Sequence, residues 1–167
     1  MGKLGLTIKL LKTFILTKNL KKLAFWYTEE SKLNKLLQEN KDFYFFLKEN
    51  SNENNCAKTM IGYMVYEGIV FEKNTNEALD LFIDPETNEP NDYIAQFFAG
   101  IITWNCIDMI EPVIHNFGRA WFYEGQLCKT RVGPLASPCQ MKYITMCFKK
   151  ASKYGSIQAQ NYINKKL

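Results

Sequence analysis

The chain has 167 residues, of which 47% are apolar and 23% charged, so it is large and apolar enough to bury its own core, and intrinsic disorder is excluded. Six of the 21 Lys and Arg residues lie in residues 1–22, where there is no acid, so the rest of the chain has 15 basic against 17 acidic residues, a net charge of −2. That balance argues against a nucleic-acid-binding body and assigns any attraction for anionic surfaces to the N-terminal segment.

The cysteine and histidine content favours a reduced protein without a metal. The five cysteines are irregularly spaced and form no CxxC pair, and His115 is the only histidine, so neither a disulfide framework nor a zinc site is expected. Cys139 and Cys147 fall two turns apart on one predicted helix, where burial is expected, and an interhelix disulfide in an exported protein is the alternative. No apolar run reaches the length of a membrane span and no secretory cleavage site is visible, so we expect a cytoplasmic protein.

The first predicted element is an amphipathic helix over residues 3–18. Four apolar residues recur at helical spacing and form one stripe, with most of the lysines outside it: Leu4, Ile8, Leu11 and Ile15. Such a helix can cap the fold by docking its stripe onto the rest of the chain. The alternative is peripheral contact of residues 1–22 with a membrane surface, or a targeting role.

Apolar residues at helical spacing, separated by polar, Gly or Pro turns, predict the remaining helices. These span residues 19–30, 32–49, 56–67, 74–83, 91–106, 112–123, 139–154 and 156–165. Gly133-Pro134 and Ser137-Pro138 indicate an irregular loop over residues 125–138. Since no alternating apolar run indicates a strand, the predicted fold class is all-α, built from antiparallel helix pairs.

Small and aromatic residues recur at matched positions in these helices. The first set is Ala57, Ile61, Gly62, Gly68, Ala78 and Phe82, and the second is Phe148, Ala151, Gly155, Ala159 and Ile163. Partial sets begin at Ala95 and at Gly118. Over residues 35–166 this pattern resembles the Sel-like repeat, a relative of the tetratricopeptide repeat. The chain departs from the family pattern at Val70, which replaces a glycine, and at Asn74, which replaces an acidic residue.

The resemblance implies an α/α superhelical solenoid of about three to four antiparallel helix pairs. Residues 1–34 would form basic N-terminal capping helices, and residues 35–167 the repeats, with an irregular insertion near 125–138. Stacked pairs leave a concave face that binds peptides or folded proteins. The implied function is a non-catalytic cytoplasmic adaptor, similar to immunity proteins that neutralise a cognate bacterial toxin. A scaffold or a secreted host-directed effector is the alternative.

We expect partner contacts from aromatic rings and one arginine, because these side chains dominate interface hot spots. The aromatic runs at residues 43–46 and 121–123 cannot direct every ring into one core, so at least one ring of each run should be partly exposed unless another element covers it. The candidate protein-binding residues are Phe43, Tyr44, Tyr63, Tyr66, Trp104, Trp121, Tyr123 and Arg131. The loop 125–138 is a further candidate surface.

Catalysis is the rival hypothesis. His115 follows Glu111 by four residues, and a hydrolase using His115 with Cys106 or an acidic residue is conceivable. One acidic cluster offers oxygen ligands but lacks the spacing of a calcium loop: Asp80, Asp84, Glu86, Glu89 and Asp92. No glycine-rich phosphate loop is present. We therefore expect no enzymatic activity, cofactor or metal, and a protein partner rather than a nucleic acid.

Overall fold

The computed structural model describes residues 3–103, 117–132 and 137–166. The helices in this part of the chain are α1 Lys3–Leu16, α2 Leu20–Thr28, α3 Glu30–Glu39, α4 Phe43–Asn50, α5 Asn55–Glu67, α6 Thr75–Phe82, α7 Tyr93–Thr103, α8 Gly118–Val132, α9 Pro138–Lys153 and α10 Ile157–Lys166. Across the described ranges, strand-like pairing is confined to one isolated bridge between Ile83 and Pro90. The all-α fold class is therefore confirmed. In the same ranges, no helix has the length and apolarity to cross a bilayer.

Helix α1 docks on the protein through the predicted apolar stripe. Leu11 and Ile15 are fully buried, and Ile8 packs partly buried against the same core. At the end of α1, the Ile15 carbonyl accepts a hydrogen bond of 2.8 Å from Nδ2 of Asn54, the residue that caps α5. The stripe therefore faces the protein as far as it is described, the side chain of Leu4 lying outside the described part.

Helix α5 is buried on nearly all sides, which explains why its sequence is apolar around most of its circumference. It ends at Gly68, whose φ of 74° lies in the left-handed region that glycine adopts without strain. Gly62 allows α6 to approach, because a Cβ at that position would lie 2.8 Å from Cε1 of Phe82. In the α8–α9 pair, a Cβ on Gly125 would similarly lie 3.2 Å from Cε1 of Phe148. In both helix pairs, therefore, a glycine on one helix leaves room for a phenylalanine ring of the other.

The predicted helix over residues 32–49 is wrong in one respect, since it is two helices. Asn40 ends α3, and its Nδ2 donates a hydrogen bond of 2.8 Å to the Leu36 carbonyl. This side chain takes the place of a continuing backbone hydrogen bond, so the chain turns before α4 begins.

The predicted loop over residues 125–138 is also corrected, because α8 continues through it to Val132. Gly125 does not end the helix; its missing Cβ makes room for Phe148 on α9. Ser137 then caps α9, in a capping box closed by Gln140. Residues 104–116 and 133–136, which include part of the predicted helix 112–123, lie outside the described residues.

Helices that follow each other in sequence pack against each other: α1 with α2, α2 with α3, α4 with α5, α5 with α6, α6 with α7, α8 with α9, and α9 with α10. The number of repeat pairs and the solenoid arrangement stay predictions.

Helix α2 also packs against α8, which lies far from it in sequence. Two glycines allow this approach. A Cβ on Gly118 would lie 2.5 Å from the Tyr154 carbonyl oxygen and 2.9 Å from Cγ2 of Thr28, and one on Gly155 would lie 2.8 Å from the Phe25 ring. The end of α2 is therefore seated between the start of α8 and the α9–α10 turn.

Buried apolar side chains form two clusters. The larger cluster draws on α1 to α7 and on the first residues of α8. The smaller cluster consists of Trp121, Ile144, Cys147, Phe148, Ala151 and Ala159. Helix α8 contributes Ala120 to the larger cluster and Trp121 to the smaller one, so it is the element that both clusters share.

Candidate functional site

A cleft of about 580 Å³ opens where the α2–α3 turn, α8 and the α9–α10 turn meet. Its walls include Glu29, Glu30, Lys32, Arg119, Phe122, Tyr123, Gln126 and Ile157. Among its ion-paired side chains, Arg119 is the least exposed, at 11%. We name it the Arg119 cleft. The cleft therefore lies beside the contact between α2 and α8.

Arg119 connects three parts of the protein. Its Nη2 lies 3.1 Å from Oε2 of Glu30 at the start of α3 and 3.5 Å from Oε1 of Glu67 at the end of α5. Its guanidinium also stacks near the α7 ring of Phe98, 5.1 Å from the ring centroid. Nη1 is buried and has no hydrogen-bond partner within the described residues. Arg119 thus holds α3, α5 and α7 around α8.

Burial and like charge shape the electrostatics of this cluster. Burial raises the pKa of Glu67 above its ordinary value, the charge of Glu30 raises it further, and the Arg119 guanidinium opposes both. Burial also raises the pKa values of Tyr63 and Tyr66, so both phenols remain neutral at physiological pH. The Tyr63 hydroxyl donates a hydrogen bond of 2.5 Å to Oδ1 of Asn34. These groups favour a fixed, polar framework over proton transfer.

Three of the predicted binding residues lie around Arg119: Tyr63, Tyr66 and Tyr123. Tyr63 is fully buried, with its ring edge-on to Tyr27 at a centroid distance of 5.1 Å. Tyr66 and Tyr123 are half-buried. Tyr123 lines the cleft and packs edge-on against Phe97. It is therefore the predicted residue best placed to contact a partner there.

The other predicted binding residues lie elsewhere. Phe43 and Trp121 are 2% and 6% exposed and belong to the core, so they offer almost no surface, and the same holds for Tyr63. Tyr44 is half-buried against Phe71, and Arg131 is exposed near the end of α8. Trp104 lies outside the described residues.

Each aromatic run keeps at least one ring partly exposed, as predicted. In the first run the exposed ring is Phe45, at 62%, rather than Phe43. In the second run Phe122 and Tyr123 are half-buried, whereas Trp121 points into the smaller cluster. The helical rotation of 100° per residue explains both outcomes, because neighbouring rings cannot share one face.

The sequence pattern did not single out Arg119. A signal was nevertheless present, since Arg119 is the only Lys or Arg residue between Lys73 and Lys129. An arginine isolated in an acidic stretch is a natural partner for buried carboxylates, because its planar guanidinium can serve two at once.

The described cysteines are poor nucleophiles. Burial raises the pKa of Cys56 to about 12, and that of Cys128 and of Cys147 to about 11, so the reactive thiolate is scarce at neutral pH. No group of three or more His, Cys, Asp or Glu side chains converges on a metal position in the described ranges. His115, Cys106 and Glu111 lie outside those ranges, as does the side chain of Cys139.

The acidic cluster around residues 80–92 has a structural use. Oδ1 of Asp84 accepts hydrogen bonds from the backbone N–H groups of Glu86 and Thr87, which lower its pKa. Asp92 accepts hydrogen bonds from the Thr59 hydroxyl and from the first amides of α7. These two carboxylates fold the loop and start α7.

Comparison with protein-family models, with curated proteins and with solved structures found no match to this chain. The Sel-like resemblance therefore stays a prediction made from the residues alone.

Proposed function

We propose that this protein is a non-catalytic protein-binding module that receives a segment of a partner protein in the Arg119 cleft. The observation that carries the proposal is the composition of the cleft, where aromatic walls from Phe122 and Tyr123 meet a strongly exposed apolar rim. Ile157 on that rim is 62% exposed. Apolar anchors surrounded by polar groups are the usual composition of the centre of a protein interface.

The charges in the cleft are largely neutralised within the protein. Nζ of Lys32 lies 3.1 Å from Oε2 of Glu29, and Nη2 of Arg119 lies 3.1 Å from Oε2 of Glu30. Recognition would therefore depend on apolar contact and on neutral hydrogen bonds. The exposed Ser31, Gln126 and Gln158 side chains supply donors and acceptors for a peptide backbone. A partner segment of mixed, uncharged character fits this lining best.

Neutralisation of a cognate toxin is one form of this proposal, and scaffolding is another. An immunity protein binds one partner very tightly, with a Kd on the order of nanomolar or below, whereas a scaffold typically binds in the micromolar range. The affinity for the identified partner, measured by titration calorimetry, separates the two roles.

The test uses two substitutions at positions of equal exposure. The full chain is affinity-purified from the organism that encodes it, and the partner that co-purifies is identified and titrated against each variant. Ile157→Asp places a charge on the cleft rim and should weaken binding by about tenfold or more. Phe45→Asp serves as the matched control, because Phe45 is also 62% exposed but lies on α4. Its affinity should stay within about twofold of the wild type.

Two outcomes contradict the proposal. Equal affinity of the wild type and Ile157→Asp would place the contact outside the cleft. A chain that purifies without a stoichiometric protein partner, at concentrations well above a micromolar Kd, would contradict protein binding as the function.

A further inference from the structure

The charges of this chain are segregated more strongly than its net charge of +4 indicates. All 17 acidic residues lie within residues 23–124, whereas residues 125–167 contain eight Lys and Arg residues and no acid. The sequence therefore has a second basic region besides residues 1–22, and the earlier assignment of anion attraction to the N-terminal segment alone is incomplete. Helix α9 carries four of these eight charges.

The outward face of α9 combines those lysines with exposed methionines. Met141 and Met146 are each 37% exposed. They share this face with Lys142, Lys149, Lys150 and Lys153, and together these residues line a shallow depression of about 500 Å³. We name this surface the α9 Met–Lys face. The opposite face of α9 is buried, with Ile144, Cys147, Phe148 and Ala151 in the smaller cluster.

The lysines of this face have no ion-pair partner within the described residues. Lys150 lies over the Trp121 ring at 4.3 Å and Lys153 over the Tyr154 ring at 5.6 Å, so the described contacts of both are with aromatic rings and not with carboxylates. Glu124 on α8 accepts its hydrogen bonds from Tyr143 and Cys128 and is not paired with these lysines. The face thus presents uncompensated positive charge around an apolar centre.

We propose that the α9 Met–Lys face docks an acidic amphipathic helix of a partner protein. Apolar side chains of that helix would cover Met141 and Met146, whose flexible thioethers adapt to varied shapes. Carboxylates beside them would pair with Lys142 and Lys149, which gives the contact its charge complementarity. This face is separate from the Arg119 cleft and goes beyond the function proposed for it.

The composition of the face favours a protein over a polyanion. Base readout and the binding of single strands use arginine and stacking rings, and the lining of this face has neither. Membrane-surface helices bury large residues such as Trp, Phe and Leu. None of these lines this face, where the main apolar side chains are the two methionines. Covering the exposed methionines removes apolar surface from water, and a partner protein with its own apolar surface can do this.

The test titrates the full-length protein with a synthetic helical peptide that carries leucines on one face and glutamates beside them, and measures affinity by fluorescence anisotropy. Lys142→Glu combined with Lys149→Glu should weaken binding by about tenfold or more. Met141→Gln combined with Met146→Gln should weaken it by about threefold to tenfold with the charge unchanged. The matched control is Lys41→Glu combined with Lys48→Glu, two exposed lysines that also have no ion-pair partner in the described residues and that change the net charge equally.

The control pair should change the affinity by less than about twofold. The proposal is overturned if the wild-type protein does not bind the peptide, or if the control pair weakens binding as much as the α9 pair does. It is also overturned if duplex DNA or phosphatidylserine vesicles bind this face and the methionine substitutions have no effect on that binding. Self-association that involves the same lysines would equally exclude a separate partner.

Discussion

At the scale of single residues, Arg119 is the cation that pairs with both Glu30 and Glu67. Replacement by Met keeps much of its apolar length but leaves Glu30 and Glu67 without their shared cation. Because removing one member of a buried ion pair leaves an uncompensated charge, we expect Arg119→Met to lower the free energy of unfolding by about 3 kcal/mol at neutral pH. Urea unfolding monitored by circular dichroism measures this change.

The pH dependence identifies the cause of that loss. Without Arg119, the pKa of Glu67 should rise further, since the guanidinium is the largest influence that lowers it. Below its unfolded-state pKa such a carboxyl is protonated in both the folded and the unfolded state, so it costs no stability. As the pH rises from that value through the raised folded-state pKa, the unfolded state ionises more readily, and stability is lost. The gap between wild type and Arg119→Met should therefore widen from about pH 4.5 to neutral pH. A gap that is constant with pH would indicate lost packing instead.

The sequence located the aromatic residues, but it did not show which of them are exposed. Phe43, Tyr63 and Trp121 were chosen as contact residues, yet all three fill the core. Position within a helix does not reveal which face another helix will cover. Exposure depends on tertiary packing, and a single sequence leaves that open at aromatic positions.

At the scale of secondary-structure elements, Asn54 couples the docking of α1 to the start of α5. Its Oδ1 accepts hydrogen bonds from the amides of Cys56 and Ala57, and its Nδ2 donates to the Ile15 carbonyl. Asn54→Ala removes both functions, so we expect it to lower the free energy of unfolding by about 2 kcal/mol, from the lost cap and from the unpaired carbonyl. Chemical denaturation monitored by tryptophan fluorescence gives the value.

Asn54→Ser separates the two functions. Serine can cap α5, but its shorter side chain cannot replace the Nδ2 donor to Ile15, so the expected loss is about 1 kcal/mol. Amide hydrogen exchange should increase at the end of α1 in both variants and at the start of α5 only in Asn54→Ala. Increased exchange at the α5 start in both would show that the cap and the tether to α1 are not independent.

Helix type was readable from the sequence, whereas some helix boundaries were not. The regular apolar spacing predicted α5, α6, α7, α9 and α10 within a few residues of their observed ends. Gly125 was read as the end of a helix, but it lies inside α8 because Phe148 occupies the space beside it. Asn40 ends α3 through its side chain, and nothing in the apolar pattern of residues 32–49 marks that break.

At the scale of the whole molecule, α8 joins two clusters of unequal size. The larger cluster includes Phe97, whose ring contacts those of Phe98 and Phe117. The smaller cluster holds α9 and α10 onto the far side of α8. The contact between α2 and α8 could not be predicted from the sequence, because it depends on Gly118 and Gly155 meeting residues that are distant along the chain. The Arg119 cleft lies beside this long-range contact.

Trp121 tests whether the two clusters unfold together. Its side chain is 6% exposed and lies in the smaller cluster, so Trp121→Ala should lower the free energy of unfolding by about 3 kcal/mol through lost burial and a residual cavity. Because the smaller cluster has few buried residues, we expect hydrogen exchange to accelerate in α9 and α10 well before it does in α5 to α7. Equal acceleration in all of these helices would mean that the chain unfolds as one unit. In that case the C-terminal pair would be an inseparable part of the main core, and α8 would transmit the loss at Trp121 to the Arg119 ion pairs as well.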